Sequence, residues 1–137
     1  MVNRLLHPQE VEVFYILPTL RKYFAIYMKE RGLKQKEIAE LLQIESATVS
    51  QYVNEKRANK IHFEENILSE IKLSTERITD KLSLLREVQR LLKMIRETKA
   101  LCTIHHAFSQ LPETCTPDDI GCTVGGELGS SRTRICY

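Results

Sequence analysis

Between residues 102 and 122 the sequence brings together Cys102, His105, His106, Cys115 and Cys122, and a fourth thiol, Cys136, follows. Thiolates and imidazoles are preferred ligands of iron–sulfur clusters and of zinc, so side chains of these types at this density point to metal chemistry. Cys102 lies three residues before His105 and four before His106, and a helix through this stretch would carry either pair on one face. Pro112 would end that helix and swing the chain back with Cys115. Three uses of the same residues are open. Cys102, Cys115 and Cys122 can hold an iron–sulfur cluster, completed by Cys136, a histidine or another chain. Cys102, His105 or His106, Cys115 and Cys122 can instead close a tetrahedral zinc site. In the third, Cys102 is a small apolar packing residue and the other thiols are free or redox-reactive. The intervals Cys-x12-Cys and Cys-x6-Cys match no standard finger or ferredoxin spacing, so density and placement carry the metal reading.

A second group of residues has the pattern of two short helices joined by a tight turn, over Gln35 to Asn54. Ala39 is the small residue where the helices meet, Ile44 follows the turn, and Val49 with Tyr52 or Val53 would anchor the second helix to a core. The exposed face of that second helix is then Ser46, Ala47, Thr48, Ser50, Gln51 and Asn54, short groups that reach base edges in a major groove. The Gln51 amide can pair bidentately with adenine, and Ala47 and the Thr48 methyl can touch a thymine methyl. Lys56, Arg57 and Lys60 follow where cations would meet phosphates, and Gln35 can donate to another phosphate. The match has two departures. Gln43 stands where such motifs usually carry Gly, and Lys34 where a Ser or Thr cap is common.

The elements needed to position these groups are helical. Five glycines and no Trp leave little material for a turn-rich β-sandwich, and the apolar spacing favours an all-α class. Val11 to Leu17 fits either a strand-like arm or a first helical turn. Pro18 suits the start of a helix carrying Leu20, Phe24, Tyr27 and Met28, which Gly32 can cap. The two short helices come next, Ser46 serving as cap of the second. Phe63, Ile67, Leu68 and Ile71 mark a fourth helix, with Ser74 or Thr75 placed to cap a fifth. From Glu76 to Phe108 there is neither Gly nor Pro. Ile78, Leu85 and Leu92, with Val88 and Ile95, describe a heptad seam that includes Cys102. Beyond Leu111-Pro112 the composition turns to Pro, Asp, Thr, Gly and Ser, as in a loop and loose tail. We therefore expect a helix-turn-helix domain at 1–73, a long dimerising helix at 74–108, and a Cys-rich segment at 109–137.

The run Gln35-Lys36-Glu37-Ile38-Ala39-Glu40-Leu41-Leu42-Gln43-Ile44, continuing through Ser46-Ala47-Thr48-Val49-Ser50-Gln51 to Arg57, resembles the phage-repressor-like (Xre-type) regulators over residues 18–73. The wider order, from Pro8-Gln9-Glu10 through Leu17-Pro18-Thr19-Leu20-Arg21 to a Cys-bearing end, resembles a group of small prokaryotic regulators. The resemblance implies a helix-turn-helix fold and DNA binding. Some members of that group carry Cys where this chain has Gln9, so no N-terminal metal ligand is expected here.

Charge supports this only through its distribution. The net charge is +2, too small to argue for nucleic acid. Residues 1–60 hold ten Lys and Arg against seven Asp and Glu, whereas 111–137 hold two against four, so the basic excess lies with the two-helix pattern. No apolar run approaches the ~18 residues of a membrane span and no leader is recognisable, so a cytoplasmic protein with no membrane partner is expected. In that reducing compartment disulfides are disfavoured. The expectation is a regulator that binds a double-stranded operator as a homodimer through residues 76–102. It would sense redox or iron status, because a thiolate cluster can change state whereas structural zinc is inert. The alternatives are a zinc-stabilised regulator and an antitoxin-like adaptor whose long helix grips a protein partner. With neither a phosphate loop nor a nucleophile elbow, an enzyme is not expected.

Overall fold

A computed structural model describes residues 5–98 and 100–108 of the chain. Its elements in order are α1 (Pro8–Val11), a π turn (Glu12–Ile16), α2 (Leu17–Glu30), α3 (Gln35–Leu42), α4 (Ser46–Val53), α5 (Glu65–Arg77), α6 (Lys81–Glu97) and α7 (Ala100–Phe108). Among the described residues there is no strand, and no helix is long and apolar enough to cross a membrane. The described residues divide into two compact units, Val13–Leu91 and residues 5–12 with 92–108.

In Val13–Leu91 the organising element is α2. Ile16, Leu20, Phe24 and Met28 recur every four residues and are fully buried, which is one face of a helix. α3, α4 and α5 all pack on this helix, contributing Ile38, Val49, Ile67 and Ile71 to the core. The open question about Val11 to Leu17 is answered by helix. Pro18 has no N–H to give Phe14 and its ring crowds that carbonyl in a regular α-helix. The wider π turn just ahead of it absorbs the misfit, and the Thr19 hydroxyl donates to the Tyr15 carbonyl at 2.7 Å.

The expected single helix from Glu76 to Phe108 is instead broken twice, so the described chain has more helices than the five expected. α5 runs on to Arg77, and α6 starts afresh at Lys81. The first break is made by Asp80 and Ser83. The Ser83 hydroxyl oxygen accepts from the Thr79 and Asp80 amides at 2.8 and 2.9 Å, and the Ser83 amide donates to Asp80 Oδ1 at 2.8 Å. These bonds satisfy the open end of α6 in the manner of a capping box. Ser74 and Thr75 are not caps but buried interior residues of α5. Thr75 Oγ1 donates to the Ile71 carbonyl at 2.8 Å and Ser74 Oγ to Glu87 Oε1 at 2.8 Å. Glu87 also meets Arg90 Nε at 3.1 Å, and Arg90 reaches Glu70 at 3.1 Å, so α5 and α6 are tied by a polar network that runs from the buried Ser74 and Glu87 out to the partly exposed Arg90 and Glu70. Burial alone would raise the Glu87 carboxyl, but the Ser74 hydroxyl and the Arg90 and Arg77 guanidinium groups hold it below its ordinary value. The second break comes after Glu97, where Thr98 Oγ1 donates back to the Met94 carbonyl at 3.0 Å. The expected seam is also divided: Ile78, Leu92 and Ile95 are buried, while Leu85 is exposed.

In the other unit α1 packs against α7. Leu6, Val11, Leu92, Ile95 and Leu101 are buried. Glu12 is 2% exposed, and Arg96 Nε lies 3.6 Å from its carboxylate. Burial pushes the Glu12 carboxyl up to about 7, against the opposing pull of Arg96. The native state therefore holds this proton more tightly than the unfolded chain between its ordinary value and about 7, and stability falls as pH rises through that window. Denaturant titrations should show a loss of up to about 3 kcal/mol from this group between those limits. Glu12→Gln should flatten that slope; an unchanged slope would show that Glu12 is not its source.

Candidate nucleic-acid interface

The α3–α4 pair is held at both ends by backbone geometry. Gln43 adopts the left-handed conformation (φ 57°) after α3. The Ile44 amide donates to the Ala39 carbonyl at 3.0 Å and the Gln43 amide to Glu40 at 3.4 Å, the bond pair of a Schellman stop. Gly32 (φ 94°) fills the same role after α2, as its sequence position suggested. The same stop recurs after α4. Glu55 (φ 54°) takes the left-handed position, with bonds from the Glu55 amide to Tyr52 at 3.1 Å and from the Lys56 amide to Gln51 at 2.8 Å. At the start of α3, Lys34 supplies no side-chain cap. Glu37 compensates by accepting from the Lys34 amide at 3.1 Å. Ser46 is likewise the first residue of α4 rather than its cap, with Glu45 in the capping position.

These ends fix which side of α4 faces out. Val49 and Tyr52 are buried, whereas Ala47, Gln51 and Asn54 are exposed and Ser50 partly so. Positions 47, 50, 51 and 54 form a single stripe at helical spacing. Ser46 is exposed at its end, and Thr48 is half-buried on the flank towards the core. Lys56, Arg57 and Lys60 are exposed immediately beyond α4. Within the stripe, Asn54 Nδ2 donates to Ser50 Oγ at 3.3 Å and Arg57 Nη1 to Gln51 Oε1 at 3.3 Å. Gln35 bridges the two helix starts, its Nε2 donating to the Ser46 carbonyl at 2.8 Å and hydroxyl at 3.0 Å. Its amide nitrogen is thus engaged inside the pair.

One position that shapes this candidate interface had no signal in the sequence. Lys22, on α2, is 2% exposed, and its Nζ donates to Asn59 Oδ1 at 3.0 Å and lies 3.7 Å from Glu55 Oε1. Asn59 Nδ2 in turn donates to the Glu55 carbonyl. A buried ammonium is tolerated only with such partners. Here it pins a segment containing two left-handed non-glycine residues, Glu55 and Ala58, and so fixes the backbone that carries Lys56, Arg57 and Lys60.

The metal-ligand candidates divide. Cys102 is a half-buried free thiol on α7, and His106, one turn on, is half-buried. His105 is 3% exposed and its Nε2 lies 2.5 Å from the Leu6 carbonyl oxygen, so that nitrogen has a protein partner. Cys115, Cys122 and Cys136 lie outside the described residues. Among the described residues no three His, Cys, Asp or Glu side chains converge.

The backbone geometry makes two measurements informative. Gln43→Gly should stabilise the protein by about 0.5 to 1 kcal/mol in denaturant unfolding, since a left-handed conformation strains any residue with a Cβ. Lys22→Met should speed amide exchange at residues 55–60 and leave α2 and α5 protected; unchanged exchange there would remove its pinning role. Compared with known proteins, the chain matches no family model, no curated protein and no solved structure.

Proposed function

We propose that this chain is a sequence-specific DNA-binding regulator of the Xre type, with α3 and α4 as a helix-turn-helix and α4 as the helix that enters the major groove. The observation that carries this reading is the outward stripe of α4. Ala47, Ser50, Gln51 and Asn54 are short and polar or small, with no large apolar group among them. They are held rigidly from behind by Val49 and Tyr52 and are followed at once by three exposed cations. A helix kept only for packing has no need of that combination. Gln51 is the chief reader: its Oε1 now accepts from Arg57, and adenine would take that place while Arg57 turns to phosphate. Gln35 supports rather than reads, since its amide nitrogen clamps α3 to α4.

The reading extends to a homodimer on a pseudo-palindromic operator. A thiolate-bound iron–sulfur cluster would control it, with Cys102, Cys115 and Cys122 as ligands and a fourth from Cys136, a histidine or another chain. The cluster would supply a charge state that changes with oxidation or iron supply. The support for it is the density of thiols after residue 100.

Selected-operator binding tests the first part. Affinity should fall steeply with salt, and replacing Lys56, Arg57 and Lys60 by Ala should lower the log–log slope by about 0.9 for each phosphate no longer neutralised. Gln51→Ala should cost about 1 to 3 kcal/mol against the preferred base and little elsewhere. Salt-indifferent or undetectable duplex binding would overturn the reading. The sensor is tested by the visible spectrum of anaerobically purified protein and its disappearance in Cys102→Ser; colourless protein without iron would remove it.

A further inference from the structure

The first half of α6 is turned the opposite way from a helix that simply faces water. Ser83 and Glu87 are buried, whereas Leu82 is 75% and Leu85 59% exposed on successive turns. Each leucine sits in a shallow groove within Val13–Leu91. Leu82 shares one with Leu41, rimmed by the acidic Glu37, Glu40 and Asp80 and by Lys81. Leu85 shares the other with Leu17 and Ile44, whose charged rim consists of the basic Arg21 and Lys81. Lys81 borders both grooves, so the Leu82 rim is acidic on balance, with three carboxylates against one ammonium, and the Leu85 rim, with Arg21 added, is basic.

We propose that this face, the Leu82–Leu85 ridge of α6 with its α2 and α3 rims, is the surface on which a second copy of the chain docks about a twofold axis. The proposal rests on the homodimer of the preceding reading and names its interface. A twofold contact uses the same patch on both partners, so the patch must contain both halves of every complementary pair. This face does: rotation brings the acidic rim of one copy onto the basic rim of the other and stacks the leucines between them. A partner of a single charge would meet like charge along one rim, a costly mismatch. The expected seam over 76–102 contributes only its first part, because Leu92 and Ile95 are already buried within the chain.

Sedimentation of the full chain without DNA tests this. The wild type should sediment as a dimer at micromolar concentration, and L82K/L85K as a monomer with unchanged helical circular dichroism. R21E/K81E makes both rims acidic and E37K/E40K makes both basic, so each should lose the dimer alone and regain it when the two are mixed. A monomeric wild type, a dimeric L82K/L85K, or failure of the mixed variants to pair would overturn the proposal. A dimer that behaves as described but ignores duplex DNA would sink the DNA-binding reading and leave this interface standing.

Discussion

The burial of one side of α2 is the constraint on which the rest of Val13–Leu91 depends. Ile16, Leu20, Phe24 and Met28 leave water together, at roughly 1.5 to 3 kcal/mol for each large side chain. α3, α4 and α5 are each placed by the side chains they press against that surface. The direction the α4 stripe faces follows from this packing: with Val49 and Tyr52 committed to the core, residues 47, 50, 51 and 54 have only the outside left. The same helix also supplies Lys22, so the element that orients α4 also pins the segment after it.

Much of this arrangement was legible because its signals are local. The fourfold spacing of α2, Gly32 at its end, and the short α3 and α4 either side of Gln43 all lie within a few residues of the structure they specify. Gln43 is instructive, since the sequence marked it as a departure from Gly and the backbone still adopts the left-handed turn there. The misjudged region is residues 74–108, where a heptad rhythm concealed two breaks. Apolar spacing records which residue types recur and does not register a local interruption made by polar side chains. The Asp80–Ser83 exchange is as local as any cap, but its polar letters were outvoted by Ile78, Leu85 and Leu92. Ser74 failed as a cap for a different reason: its partner, Glu87, lies thirteen positions away.

For the candidate interface, periodicity identified the stripe and left its internal bonds unseen. Arg57 on Gln51 and Gln35 on Ser46 depend on how two helix ends approach, which no spacing encodes. Lys22 is the extreme case, since a lysine in a helix ordinarily reads as solvent-facing and its partner Asn59 is 37 positions on. The thiol-rich stretch has the reverse character, conspicuous in composition and indefinite in geometry.

The bond from His105 to the Leu6 carbonyl joins positions 99 apart, and this span sets an order of events during synthesis. Residues 13–91 form a compact unit of their own and can collapse while the ribosome is still adding the later residues. The α1–α7 contact cannot close until α7 has emerged. Until then the apolar side of α1 lacks the helix it packs against, and the nascent chain is open to aggregation and proteolysis there.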